Sequence, residues 1–182
     1  MRSASPAPRR CRSSRPRSPG ETSPARADRH SRSADSHPTA QTSGTAGNPD
    51  LFSIYFVDSD TGWAVGNDFS GGIILKTTNG GSTWSAQISK SSIFLRSVYF
   101  TNANSGWAVG WSDSILATTD GGTTWFAQAS GMTNPFLESV YFTDANTGWT
   151  VGGLGIILTT IDGGNTWSAQ ASGTTNDLSS VS

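Results

Sequence analysis

A repeat of 42 to 44 residues constrains the fold of this 182-residue chain more than any other feature. The stretch at residues 53–56 returns at 97–100 and again at 139–142. A Gly-Trp pair recurs with the same steps, at Trp63, Trp107 and Trp149. Repeats of this length indicate stacked units that cannot bury their hydrophobic faces alone. The sequence therefore predicts an array of similar structural units.

Each unit has the pattern of four short β-strands, because β-branched and aromatic runs alternate with clusters of Gly, Asn and Asp. In the middle unit we place the strands at residues 97–101, 106–110, 114–118 and 124–128. Four antiparallel strands per repeat are typical of a β-propeller blade. The predicted fold class is all-β: a β-propeller fragment of about three four-stranded antiparallel blades, with a disordered N-terminal tail.

A third repeated element, with the pattern T-x-[ND]-x-G-x-T-W, occurs at residues 77–84, 118–125 and 160–167. It resembles the Asp-box, or BNR repeat, of sialidases and related propellers. With the strand and Gly-Trp elements, the whole unit is similar to the repeat of the photosystem II assembly and stability factor family, over residues 51–177. This resemblance implies a propeller that binds protein, as assembly factors do when they hold partly built membrane complexes.

Composition divides the chain near residue 39. Residues 1–39 carry nine arginines against three acids, whereas the rest of the chain carries three basic residues against ten acids. The first segment has almost no apolar side chains, so ordering it would cost entropy without forming a core. We predict a disordered Arg/Ser/Pro-rich tail at 1–39 and a propeller repeat region at 40–182. Within it we place blades at about 51–94, 95–136 and 137–177, and the start of a further blade at 178–182.

The register at both ends predicts that the array is incomplete. Residues 178–181 align with 137–140, where an opening strand would continue. Residues 40–44 align with 127–131 but lack the Thr-Trp that should precede them. Three blades would leave two blade faces exposed, which favours self-association through these open faces.

The compartment is left open by the sequence. The family resemblance implies export to the periplasm, cell surface or thylakoid lumen. However, no hydrophobic signal segment follows the arginines at positions 9 and 10. The arginine-rich segment would hold RNA or anionic lipid by charge alone, but no aromatic residue precedes Phe52 to stack on bases. For the repeat region we predict no nucleic-acid binding.

The Asp-box has a catalytic and a structural interpretation. Asp120 and Asp162 are carboxylates at matched positions, but the first copy has Asn79 there. Asn keeps the hydrogen bonding and removes the charge, which suits a turn and not an acid catalyst. We therefore predict that the side chain accepts backbone N–H groups while the adjacent Trp packs between strands. The predicted structural Asp-box residues are Asn79, Gly81, Trp84, Asp120, Gly122, Trp125, Asp162, Gly164 and Trp167.

We predict no catalytic residues, no metal and no cofactor. Oxygen ligands two residues apart in the first hairpin of each unit suit Ca²⁺, but Asx-turn capping explains them in all three copies. A sialidase needs an arginine cluster, and the repeat region has Arg96 alone, with no His or Cys. The alternative is a secreted sialidase-like or carbohydrate-binding Asp-box propeller. In that case the catalytic residues would lie in blades outside these three.

Positions that differ between repeats are the candidates for partner binding. If the strands of each blade follow one another outward from the propeller axis, two sets of loops share one face of the disc. These are the loops before each first strand and the loops between the second and third strands. Aromatic residues with one arginine have the composition of a protein-binding surface. The candidates are Phe94, Arg96, Trp111, Asp113, Phe136 and Glu138. For the two phenylalanines the alternative is that they close the blade edges. The predicted function is a non-catalytic scaffold that binds a protein partner, such as a membrane complex under assembly.

Overall fold

The computed structural model of the protein describes residues 49–68, 70–90 and 93–182. The predicted tail at 1–39 and the predicted start of the repeat region at 40–48 lie outside the described residues. The disorder of the tail and the boundaries of the domains therefore stay predictions.

Within the described residues, twelve β-strands form three four-stranded antiparallel sheets, each with its strands in chain order. Blade 1 contains β1 (Asp50–Phe56), β2 (Gly62–Asp68), β3 (Gly71–Thr77) and β4 (Ser85–Lys90). Blade 2 contains β5 (Phe94–Phe100), β6 (Gly106–Trp111), β7 (Ile115–Thr118) and β8 (Phe126–Gln128). Blade 3 contains β9 (Leu137–Phe142), β10 (Gly148–Gly152), β11 (Ile157–Thr160) and β12 (Ser168–Gln170). The predicted fold class is confirmed.

The four strands predicted for the middle unit are present, but the first begins earlier than predicted. β5 begins at Phe94 and not at residue 97, because Phe94 pairs with Trp111 at the end of β6. The pairing register shifts between Leu95 and Ser97, so β5 contains a β-bulge. A bulge breaks the alternation of side chains, which hid these residues from a prediction based on periodicity.

The third and fourth strands of the middle unit begin later than predicted. β7 begins at Ile115 because Ser112 and Asp113, with φ of 59° and 60°, form a tight turn before it. β8 begins at Phe126 because the backbone N–H of Thr124 is bound to the Asp-box carboxylate and not to a neighbouring strand. In the described part of the chain, helical structure is limited to the 3₁₀ turn Gly153–Gly155, and no helix there is suited to crossing a membrane.

The hydrophobic core lies between neighbouring blades. Trp63 of blade 1 is fully buried and stacks on Phe100 of blade 2, with ring centroids 3.5 Å apart. Trp107 of blade 2 stacks in the same way on Phe142 of blade 3, at 3.6 Å. Each indole also donates to the next Asp-box, Trp63 Nε1 to the Gly121 carbonyl at 3.2 Å and Trp107 Nε1 to the Gly163 carbonyl at 3.0 Å. The repeated Gly-Trp pair is therefore the main contact between blades.

The face of blade 1 that points away from blade 2 is not covered by another blade among the described residues. Leu51 and Ile54 are 45% and 58% exposed. Leu95 and Leu137, which occupy the position of Leu51 in blades 2 and 3, are fully buried against the preceding blade. The predicted self-association through such a face stays a prediction.

The chain beyond β12 lies against blade 3. The N–H of Val181 donates to the Ser139 hydroxyl at 3.2 Å. The N–H of Val98 donates in the same way to the Ser53 hydroxyl of blade 1, at 3.3 Å. Residues 178–181 therefore contact blade 3 as β5 contacts the blade before it, and the further blade at this point stays a prediction.

Candidate functional site

The Asp-box carboxylates close the hairpin between the third and fourth strands. In blade 2, Asp120 Oδ1 accepts hydrogen bonds from the Thr118 hydroxyl and the Thr124 N–H, both at 2.9 Å. Its Oδ2 accepts from the Thr124 hydroxyl at 2.6 Å. The Thr118 hydroxyl accepts the N–H of Gly122 at 2.9 Å, and Asp162 has the matching contacts in blade 3. These groups hold the turn between the third and fourth strands.

Asn79 keeps this geometry in blade 1 without a charge. Its Oδ1 accepts from the Thr77 hydroxyl at 3.0 Å and from the Thr83 N–H at 2.9 Å. Its Nδ2 donates to the Thr83 hydroxyl at 2.9 Å, and Gly81 N–H donates to the Thr77 hydroxyl at 2.9 Å. The turn thus forms with either an amide or a carboxylate at this position.

The tryptophan that ends each Asp-box packs nearly perpendicular to a phenylalanine ring of its own blade. The ring centroids lie 6.0 Å apart for Phe56 and Trp84, 5.9 Å for Phe100 and Trp125, and 6.0 Å for Phe142 and Trp167. Edge-to-face pairs of this kind place the positive ring edge on the negative ring face. Gly164 lies in the third of these turns, where its N–H donates to the Thr160 hydroxyl at 2.8 Å.

We expect acid to weaken the two charged Asp-boxes. Hydrogen bonds from the Thr124 hydroxyl and N–H lower the pKa of Asp120 from its ordinary value of 3.8 to about 2. Hydrogen bonds from Thr166 likewise lower the pKa of Asp162. A carboxyl whose pKa falls on folding stabilises the fold above its ordinary pKa, and this contribution is lost as the pH falls through the folded pKa. Thermal melting should show a Tm that declines between about pH 4 and pH 2.

The matched variant for this prediction is Asp120→Asn, because Asn79 shows that an amide closes the same turn. We expect Asp120→Asn to fold, with a shallower decline in Tm through the acid range. Asn79→Asp adds a third charged box and should make the decline steeper. Acid profiles of both variants that coincide with the unmodified chain would contradict the assigned contribution.

The first hairpin of each blade is capped by an Asx side chain. Each of these Oδ1 atoms accepts the backbone N–H groups two and three residues further on, at 2.6 to 2.9 Å. The capping residues are Asp58, Asn102 and Asp144. Among the described residues, no group of His, Cys, Asp and Glu side chains has the arrangement of a metal site.

A β-bulge interrupts the first strand of every blade at the same repeat position. The pairing register skips Phe52 in β1, Arg96 in β5 and Glu138 in β9. Bulges change the direction of a side chain and often border functional sites. The three blades therefore place an aromatic, a cationic and an anionic side chain at equivalent points on neighbouring strands.

Arg96 joins these bulge residues into one surface. Its guanidinium carbon lies 4.3 Å from the centroid of the Phe52 ring, and its Nε donates to Glu138 Oε2 at 3.0 Å. The guanidinium carbon also lies 5.1 Å from the centroid of Trp111. The indole Nε1 of Trp111 donates to Glu138 Oε1 at 3.0 Å. Glu138 thus fixes both the cation and the indole, and the rings hold the guanidinium by cation–π contacts.

Two more aromatic rings border Trp111. Its ring centroid is 6.3 Å from that of Phe94 and 5.7 Å from that of Phe136. Phe52, Phe94 and Phe136 are 46%, 42% and 50% exposed, so a partner has access to a large apolar area. We call the six residues the aromatic–arginine cluster: Phe52, Phe94, Arg96, Trp111, Phe136 and Glu138.

The structure brings together five of the six residues predicted for partner binding. The sixth, Asp113, accepts the N–H of Ser130 at 3.1 Å, and no hydrogen bond among the described residues joins it to the cluster. Phe52 is the member that sequence reasoning missed. The signal was its repeat position, which it shares with Arg96 and Glu138.

Two overlapping stretches of the chain, residues 41–125 and 87–175, match the family described as the photosynthesis system II assembly factor YCF48. Among solved structures, YCF48 bound to D1 peptide has a TM-score of 0.63 at 25% identity, covering 75% of this chain and 45% of that one. YCF48 from Cyanidioschyzon merolae has a TM-score of 0.57 at 18% identity, covering 70% and 42%. This chain therefore spans less than half the length of either structure.

A likeness of fold extends to glycoside hydrolases. An ancestral GH74 enzyme has a TM-score of 0.53 at 21% identity, covering 72% of this chain and 20% of the enzyme. Curated protein sequences give no match. At this identity the similarity concerns the propeller architecture, and it carries no argument about catalysis.

Proposed function

Because this chain belongs to the family of the photosynthesis system II assembly factor YCF48, we propose that it is a non-catalytic β-propeller scaffold that binds a protein partner through its aromatic–arginine cluster. The observation that carries the proposal is the exposed cluster, in which three neighbouring blades contribute their variable bulge residues. The solved complex of a YCF48 with D1 peptide supports a polypeptide segment as the class of ligand. On this proposal the segment belongs to a membrane complex under assembly.

The cluster has both of the properties that a peptide site requires. Among the described contacts Arg96 donates a hydrogen bond only through Nε, so its Nη groups keep donors for a carbonyl or carboxylate of the ligand. The exposed rings of Phe52 and Phe136 supply apolar area on either side of the cluster. Aromatic and arginine side chains of this kind dominate the free energy of binding at protein interfaces.

The use of the carboxylates supports a non-catalytic role. Eight of the ten acidic residues in the described part of the chain accept hydrogen bonds that hold turns, loops or the cluster. These residues are Asp58, Asp68, Asp113, Asp120, Glu138, Asp144, Asp162 and Asp177. General acid–base catalysis needs a carboxyl group that is free to exchange a proton with a substrate.

Replacement of Arg96 by Ala should weaken peptide binding. The change removes the guanidinium and its contacts with Phe52 and Trp111, and it leaves Glu138 without its cation. We expect a loss of about 2 kcal/mol, which is roughly 30-fold in Kd. Titration of a labelled D1 peptide into the chain, followed by fluorescence anisotropy, measures this change.

Ile161→Ala is the matched control, because Ile161 is 78% exposed and lies in an Asp-box outside the cluster. Its Kd should equal that of the unmodified chain. Phe136→Ala should weaken binding while leaving the Arg96–Glu138 ion pair in place. Equal affinity of all four proteins for the peptide would overturn the assignment of the cluster as the binding site.

A further inference from the structure

Each Gly-Trp tryptophan pairs with a residue of the third strand, and that residue is different in each blade. Trp63 is paired with Lys76, Trp107 with Ala117, and Trp149 with Thr159. Because strand pairs place such side chains on one face, Lys76 and Ala117 each lie beside the indole on the side of the following blade. The clefts between blades 1 and 2 and between blades 2 and 3 therefore differ by a lysine side chain.

The cleft between blades 1 and 2 contains a built-in ammonium group. Lys76 Nζ donates to the carbonyl oxygen of Gly121 at 2.8 Å and lies 5.2 Å from the centroid of the Trp63 ring. The same carbonyl accepts the Trp63 indole N–H at 3.2 Å. An indole face and an Asp-box carbonyl thus form the surroundings of a primary ammonium in this cleft.

The cleft between blades 2 and 3 has the same indole and carbonyl but no lysine. Trp107 Nε1 donates to the Gly163 carbonyl at 3.0 Å, as Trp63 does in the other cleft. Trp107, Ala117 and Gly163 line a partly open cavity of about 380 Å³ in this cleft, and Ala117 has the register position that Lys76 has in blade 1. Gln128 reaches across and donates its Nε2 to the Gly163 carbonyl at 3.0 Å, which is the bond that Lys76 makes to Gly121.

Gln128 is an imperfect substitute for the lysine. Its Oε1 is buried and has no hydrogen-bond partner among the described residues. A buried acceptor without a partner is costly, so a ligand that displaces the Gln128 side chain and releases it to water gains free energy. Phe126 and Ala117 provide an apolar wall, and Asp162 and Asn146 provide a polar one.

We infer that this cavity binds a primary alkylammonium group, supplied either by a lysine side chain of a partner or by a free amine. The alkyl chain lies along Phe126 and Ala117, and the ammonium displaces Gln128 Nε2 from the Gly163 carbonyl to make the bond that Lys76 makes to Gly121 in the other cleft. The negative balance of the repeat region, with three basic residues against ten acids from residue 40 onward, favours a cation. The site shares no residue with the aromatic–arginine cluster and does not depend on the proposed function.

The first test is titration of n-butylammonium into the full chain, followed by the indole N–H signals in ¹H–¹⁵N spectra. We expect the Trp107 signal to shift with a Kd on the order of 1 mM, and the Trp63 signal to stay in place. n-Butanol has the same chain length and no charge, and it should bind at least about tenfold more weakly. Equal shifts with n-butanol would overturn the inference, because they would show an apolar cavity only.

Three variants test the cavity itself. Ala117→Lys supplies the missing ammonium and Ala117→Met fills the space without charge, so each should abolish the Trp107 shift. Lys76→Ala opens the equivalent space beside Trp63 and should create a second site, raising the stoichiometry from one amine to two. Unchanged binding by both Ala117 variants, or a Lys76→Ala protein that still binds one amine, would contradict the site.

The source of the ammonium is distinguished by a second probe. A capped pentapeptide with one central lysine and flanking glycine and serine residues presents the same group on a polypeptide. A Trp107 shift with both probes assigns the site to a lysine side chain of a partner, whereas a shift with n-butylammonium alone assigns it to a free amine. No shift with either probe overturns the inference.

Discussion

Replacement of Trp63 by Ala should reduce the free energy of unfolding by about 3 to 5 kcal/mol. The indole is fully buried, stacks on Phe100 with centroids 3.5 Å apart, and donates to the carbonyl of Gly121. Its removal leaves a cavity between blades 1 and 2. Urea unfolding followed by far-ultraviolet circular dichroism measures the loss without relying on tryptophan fluorescence.

Trp149→Ala is the matched control for this prediction. Trp149 has the same repeat position in blade 3, but it is only half-buried, and no aromatic ring of the described residues stacks on it. We expect a clearly smaller loss there. Trp63→Phe should lie between the two, because it keeps an aromatic ring against Phe100 and loses the hydrogen bond to Gly121. Equal losses for Trp63→Ala and Trp149→Ala would show that the contact between blades is not the source of the effect.

The repeat made the architecture predictable because each element has a local cause that recurs three times. The Ser-x-Tyr-Phe stretch, the Gly-Trp pair and the Asp-box correspond to the first strand, the second strand and the turn between the third and fourth strands. Asn79 was informative because its exchange for Asp preserves the hydrogen bonds of the turn. Comparison of the three aligned copies therefore separated residues that the fold requires from positions at which it accepts a substitution.

The bulges were not predictable in the same way. Phe52, Arg96 and Glu138 interrupt the two-residue period of their strands, and a period-based prediction placed the start of β5 three residues late. A bulge depends on how two strands pair, and pairing is a property of the folded sheet that one strand's sequence does not carry. The sequence therefore identified Arg96 and Glu138 as candidate residues because they vary between repeats. Their alignment in a row across three blades, and the place of Phe52 in that row, were visible only in the structure.

Different residues in one repeated frame also explain how similar clefts acquire different properties. Lys76 and Ala117 occupy one register position, so the cleft between blades 1 and 2 contains an ammonium group beside the tryptophan and the cleft between blades 2 and 3 a methyl group, while the bond from the indole to the Asp-box carbonyl is the same in both. Periodicity in the sequence detects the repeated strands and turns. It does not detect the volume of the cleft between two blades, because that volume also depends on the side chains of the following blade. The difference between a structural lysine and a cavity was therefore visible only when neighbouring blades were compared in space.

Gly106→Ala should cost about 3 kcal/mol or more, although it adds only one methyl group. A Cβ at Gly106 would lie 2.5 Å from two ring carbons of Phe100. That ring cannot retreat, because Trp63 stacks on it with centroids 3.5 Å apart and Trp125 packs against its edge. The glycine of the Gly-Trp pair is thus needed so that one blade's phenylalanine fits between its own backbone and the preceding blade's indole.

Gly62→Ala tests this explanation within the same chain. A Cβ at Gly62 would lie 2.7 Å from a ring carbon of Phe56, nearly as close as at Gly106, but Phe56 is 36% exposed. Since no indole of the described residues stacks on that ring as Trp63 stacks on Phe100, the ring has room to move, and the loss should be about 1 kcal/mol or less. Gly148→Ala, beneath the Phe142 ring that Trp107 covers, should resemble Gly106→Ala. Equal losses of unfolding free energy in the three variants would contradict this explanation. They would show that the loss comes from replacing glycine in the backbone and not from the tryptophan stacked on the phenylalanine ring.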